Sequence, residues 1–101
     1  MNVKNTKDLK GKAKLDLIPY NALVAVAAVR EFGVMKYGDA WMWKMGVQSQ
    51  AFSTAAIRHL FKDLQVEDID EESGLLHLAH AACSTLMALE IKLNDIKNSD
   101  F

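Results

Sequence analysis

One segment limits the fold more than any other. Residues 19–38, PYNALVAVAAVREFGVMKYG, carry apolar side chains on nearly every side. Leu23, Val26 and Ala27 share a face with Arg30, while Val24 and Ala28 share another with Glu31. Pro19 suits a first helical turn, with Asp16 nearby as a candidate N-terminal cap. A helix that is apolar all round until Arg30 is either central in a bundle or packed on a second subunit. Glu31, after so apolar a run, should face a cation, a metal or solvent at the rim.

Two further helical patterns follow. Phe52, Ala56, Leu60 and Leu64 fall at helical spacing between about Ser49 and Leu64, and Leu75, Leu78, Ala82, Leu86 and Leu89 form a stripe between about Glu71 and Lys97. Between the helices stand YGDAWMWKMGVQ, with the glycines and aromatics of an ordered loop, and the acidic turn QVEDIDEESG. No strand alternation, internal repeat or low-complexity tract competes. With 101 residues there is room for one core. The expected fold is therefore all-α, a bundle of three main helices over residues 15–97, flanked by a basic arm (1–14) and a short tail (98–101). Alanine and leucine on more than one face of the first and third helices would leave one copy with apolar area exposed. A homodimer or homotetramer is expected to cover it.

Composition removes several classes. Half the residues are hydrophobic, so disorder is excluded, and 12 basic against 13 acidic residues give no positive field to gather nucleic acid. Cys83 stands alone, which rules out an internal disulfide and a C-x-x-C zinc site and leaves it a packing role. The longest apolar run, ALVAVAAV (22–29), is too short to span a bilayer, and the basic start lacks the apolar stretch of a signal sequence. A soluble, cytoplasmic protein is expected.

The chemistry concentrates in three histidines and one acidic run. His77 and His80 share a helix face, His59 lies on the second helix, and an antiparallel pairing of the two helices would bring all three imidazoles together. Ser84 and Asp63, each four residues on, are candidate in-helix partners of His80 and His59. Imidazoles can ligate a metal, take a proton near neutral pH or donate to phosphate. They can also be core residues with a satisfied hydrogen bond. EDIDEES (67–73) places five carboxylates in seven residues, with Asp70 as candidate cap of the third helix and Glu71, Glu72 and Ser73 in its first turn. Such mutual repulsion calls for a cation or a basic partner, and Arg58 is one candidate. In FGVMKYGD (32–39), Lys36 and Tyr37 lie between glycines that would let a phosphate and a base approach, although Lys-Tyr-Gly is also a common helix end. Trp41 and Trp43 read more simply as packing anchors.

Four blocks in order, L-I-P, F-G-x-x-K-Y-G, R-H-L and E-D-x-D-E-E-S-G-x-x-H-L-A-H-A, make the stretch from about Lys14 to Leu89 resemble the N-terminal domain of phage dATP/dGTP diphosphohydrolases. The resemblance implies an all-α, MazG-like nucleotide pyrophosphatase that uses Mg2+ or Mn2+ to split a purine deoxynucleoside triphosphate into monophosphate and pyrophosphate. In that wider group magnesium is held by E-x-x-E and E-x-x-D pairs on helices. Here the second helix reads AAIRHLFKDL, the spacing-three pair on the third is His77 and His80, and only Glu67 and Asp70 keep an E-x-x-D spacing. These ligand pairs do not carry over, and the roles assigned instead are Asp70 and Glu72, with His77 or His80, on the metal and His59, His77 and His80 in catalysis. Lys36 and Arg58 would take the triphosphate, and Tyr37 or Trp41 the base. A non-catalytic nucleotide-binding or interaction module of the same fold is the alternative.

Overall fold

The computed structural model describes residues 12–39 and 46–98. Trp41, Trp43, most of the basic arm and the last residues of the tail lie outside them. A single 3-10 turn, Leu15–Leu17, leads into three helices: α1 (Tyr20–Tyr37), α2 (Ser49–Gln65) and α3 (His77–Asn98). Among the described residues there is no strand, and the all-α expectation holds. None of the three helices is long and apolar enough to cross a membrane.

The helix ends follow local chemistry. Pro19 occupies the cap position of α1 rather than its first turn, and Asp16 sits inside the 3-10 turn without capping anything. At the other end Gly38, at φ 77°, donates its N–H to Val34 O at 2.7 Å and stops the helix in the left-handed conformation that glycine adopts freely.

The largest departure from expectation is the start of α3, at His77 rather than Glu71. Residues 68–77 fold into a closed turn instead. Ile69 and Leu76 pair as an antiparallel bridge, Asp70 N–H donates to Leu75 O, Gly74 N–H to Asp70 O, and His77 N–H to Asp68 O. Gly74, at φ 73°, permits the reversal. Asp70 therefore caps this turn and not the helix, and Glu71, Glu72 and Ser73 lie outside the first turn of α3. The N–H groups of Ala79 and His80 go to Leu76 O, which opens the helix.

The central element is α3, against which α1 and α2 both pack, α2 more extensively. Both run antiparallel to it. The His59 end of α2 meets the start of α3, while Gln48 and Ser53 lie beside Ile91 and Asp95. The core cluster is Val29, Ala79, Cys83 and Met87, with Ala25, Val26, Phe52 and Leu75 packed on it. Ala56, Ala81, Ala88 and Ile91 are also buried. Cys83 has the packing role expected, and burial pushes its thiol up.

Two readings of the apolar pattern change. The helix that is apolar all round is not the centre: α1 buries only Val29 fully, and Leu23 and Val24 remain 43% and 49% exposed. On α3 the leucine stripe is not the inward face, since Leu78, Leu86 and Leu89 are about half exposed. The inward faces carry Ala79, Ala81, Cys83 and Ala88 together with Met87 and Ile91, so small and large apolar side chains alternate along the contacts.

Candidate functional site

Where the C-terminal ends of α1 and α2 meet the 68–77 turn and the start of α3, the chain forms an open cavity of about 610 Å3. His59, His77, His80, Asp70, Glu72, Lys36, Tyr37 and Arg58 all line it. Every described site residue expected from the sequence is thus in one place, and Trp41 alone lies outside the described residues.

The floor is an imidazole cluster. His59 Nδ1 and His77 Nδ1 are 2.9 Å apart, and the rings of His59 and His80 stack at 4.6 Å with a 14° interplanar angle. Phe32 from α1 meets His80 edge-on at 6.4 Å. The antiparallel α2/α3 pairing supplies this convergence, as the spacing predicted. Its hydrogen bonds were not legible in the same way. His59 bonds His77 rather than Asp63, and His80 bonds Ser73 rather than Ser84.

Ser73 is the hub. Its hydroxyl donates to Asp70 Oδ2 at 2.8 Å and lies 2.7 Å from His80 Nε2, while its backbone N–H also donates to Asp70 Oδ2 at 3.0 Å. With the hydroxyl proton committed to the carboxylate, Ser73 Oγ accepts from His80 Nε2–H and from Leu75 N–H. This network leaves His80 Nδ1 as the nitrogen that can carry a lone pair. On the other side, His77 Nε2 lies 3.4 Å from Glu67 Oε1, a contact that favours the proton on Nε2 and the lone pair on Nδ1, so that His59 Nδ1–H donates to it.

The electrostatics follow the geometry. Burial, then the neighbouring imidazoles, holds His59 below the usual histidine range, and burial does the same to His80 against the pull of Asp70. Burial would raise Asp70, but the two Ser73 donors and the histidines outweigh it and hold the carboxyl below its ordinary value. The site thus favours neutral His59 and His80 imidazoles and an ionised Asp70 carboxylate. For His59 and His80 the unfolded chain takes up protons first as pH falls. Stability is then full above pH 6.5, the ordinary histidine value, and declines below it. Thermal unfolding of chelator-treated protein from pH 8 to pH 5 should show a falling midpoint, and a rising one would contradict the assignment.

The walls carry the charge. Lys36 Nζ holds both oxygens of Glu72, at 2.9 and 2.7 Å, and lies 5.3 Å from the centroid of the Tyr37 ring. This pair occupies Glu72, which the sequence reading assigned to a metal, and ties α1 to the 68–77 turn. The hydrogen bond to Glu72 raises Lys36. Arg58 lines the same wall, and so does Lys62, which sequence reasoning passed over although it stands four residues, one helical turn, further along the same helix. Glu31, at the C-terminal half of α1, is exposed to solvent.

A three-helix unit with a histidine and carboxylate floor and cationic walls is suited to an anionic ligand rather than an apolar one. A family model described as dATP/dGTP diphosphohydrolase, N-terminal, matches residues 2–100, and the chain belongs to that family. A dATP/dGTP diphosphohydrolase of Salmonella phage PMBT28 is 40% identical over 91 residues, covering 90% of this chain. The chain spans about 30% of the length of that curated relative. No solved structure matches it.

Proposed function

We propose that this chain acts on purine deoxynucleoside triphosphates, dATP or dGTP, as a cation-dependent diphosphohydrolase. Water adds at the α-phosphorus, the bond from that phosphorus to the bridging oxygen breaks, and deoxynucleoside monophosphate and pyrophosphate leave. The observation that carries this reading is the three-imidazole and Asp70 floor beneath the Lys36 and Arg58 walls, in a member of a diphosphohydrolase family.

Arg58 and Lys62 offer the phosphate chain positive charge from α2, and Lys36 offers it from α1 once its hold on Glu72 is exchanged for phosphate oxygen. Tyr37, exposed at the rim, meets the base with the ring face that Lys36 does not cover. His80, fixed by Ser73 and Asp70, can take the proton of the attacking water. A divalent cation bound beside Asp70 would draw charge from the phosphate oxygens as the bond breaks. The exposed apolar faces of α1 and α3 support assembly into a homodimer or homotetramer, and the setting would be the cytoplasm of a phage host.

One observation favours a second reading. The relative is about three times as long as the matched region, and its named activity belongs to that longer protein. In this reading the unit binds nucleotide and the chemistry lies elsewhere.

The test is to incubate the purified chain with each deoxynucleoside triphosphate and a divalent cation and to resolve the products by ion exchange. Monophosphate and pyrophosphate from the purine nucleotides are expected. Nucleotide binding without product would select the second reading. In the same assay Lys36→Ala should raise KM by roughly tenfold, the loss of one charge-assisted contact, with kcat and the melting temperature nearly unchanged because the side chain is exposed. An unchanged KM would return Lys36 to closing the end of α1.

A further inference from the structure

We infer that His59, Asp70 and His77 form a centre for a first-row transition-metal dication of the iron, cobalt or zinc kind, and that it discriminates against magnesium. The inference deepens the diphosphohydrolase reading and rests on it for the use made of the ion, but its ligands are assigned from geometry alone.

The ligand atoms of these three residues lie within 4.8 Å of one another. The two Nδ1 atoms, 2.9 Å apart, have the separation of adjacent ligands at right angles on an ion with bonds of about 2.1 Å. The proton that joins them without metal is the one an ion would displace. Each ligand is oriented by a neighbour. Glu67 lies against His77 Nε2 and turns Nδ1 inward, and Ser73 takes Asp70 Oδ2 twice, leaving Oδ1 without a donor among the described residues.

The magnesium site implied by the resemblance does not fit these residues. Magnesium takes oxygen ligands and binds through carboxylates, whereas here Glu72 is held by Lys36 and only Asp70 joins the cluster. Two imidazoles and one carboxylate, with open positions remaining, make a donor set for the later divalent metals, among which affinity rises from manganese through iron and cobalt to a maximum at copper, with zinc below copper. The sequence departure from paired glutamates is thus a change of metal class rather than the loss of a site.

The experiment uses the full chain, stripped with chelator and titrated separately with Co2+, Zn2+, Mn2+ and Mg2+ by calorimetry, while visible absorption follows Co2+. One Co2+ per chain with new visible bands is expected, displaced by Zn2+, with Mg2+ at least about a hundredfold weaker. His59→Asn should weaken Co2+ by about a hundredfold, Ser73→Ala by about tenfold through Asp70, and Glu72→Gln should leave it unchanged. If His59→Asn does not fold, the 15N shifts of the His59 and His77 imidazoles on adding Zn2+ to the unaltered chain decide the point, and they should move together. No bands and no imidazole shift would overturn the proposal, as would Mg2+ binding on equal terms or a His59→Asn variant that binds Co2+ normally. Metal binding as described without nucleotide hydrolysis would remove the diphosphohydrolase reading and leave this centre standing.

Discussion

His77→Ala is expected to abolish hydrolysis, by about a thousandfold or more, and to lower the stability of the fold by about 2–4 kcal/mol. The stability loss comes from burial: His77 is 2% exposed, the one buried polar residue recorded among those described, and it fills the joint between α2 and α3. Its removal leaves a void and strips half-buried His59 of its partner at 2.9 Å. From sequence alone, a conservative exchange of either His77 or His80 should spare folding. The structure separates them. His80→Asn should lower the melting temperature less than His77→Asn, because the His80 side chain keeps 12% exposure beside the turn whereas that of His77 keeps 3%. His77→Asn should lower it measurably, so activity must be scaled to the folded fraction from urea unfolding. Equal melting temperatures for the two variants would contradict the packing described.

Asp70→Ala should have a comparable effect by another route. Asp70 Oδ2 accepts the Ser73 hydroxyl at 2.8 Å and the Ser73 N–H at 3.0 Å, and His80 Nε2 lies 3.6 Å away. Hydrogen bonds to a charged acceptor contribute about 1.5–3 kcal/mol each, and discounting for a side chain that is 20% exposed gives a net loss of about 2–3 kcal/mol. Because the carboxyl is held below its usual range, its charged form is favoured on folding. The contribution is complete above pH 3.8, the ordinary carboxyl value, and disappears as pH falls through the lower value in the fold. The stability difference between parent and Asp70→Asn should therefore shrink as pH falls below 3.8 and Asp70 takes up its proton. A difference that grows in acid would reverse the assignment. Hydrolysis should be lost in Asp70→Ala, since the network that positions His80 goes with it.

The helical content of the chain was legible because Phe52 and Ala56, or Gly38 after Tyr37, carry their structural meaning locally. The start of α3 was not. A run of acidic residues before a helix looks like a charged first turn, and only the pairing of Ile69 with Leu76 shows that these residues close on themselves. The inward face of α3 was misread for a different reason. A stripe drawn through the leucines finds the wrong face, because α3 buries Ala79, Ala81, Met87 and Ile91 and turns Leu78 and Leu86 outward. At the site, residue types and helix spacing sufficed to gather His59, His77 and His80. The partners that fix their protons, Ser73 and Glu67, depend on a turn that no periodicity describes.

That turn also sets how the site comes apart. The amides of Asp70, Ser73, Gly74, Leu75 and His77 are all bonded to acceptors between residues 68 and 75, so none depends on a neighbouring helix. Such a closed set opens as one unit, and the five amides should exchange with solvent deuterium at one common rate rather than in a graded series. Asp70 and Ser73 would leave the pocket in that single event, and His80 would lose its orienting partner with them. The wall that Asp70 and Ser73 supply should therefore be assembled or absent as a whole, on a helical frame whose own exchange should be slower.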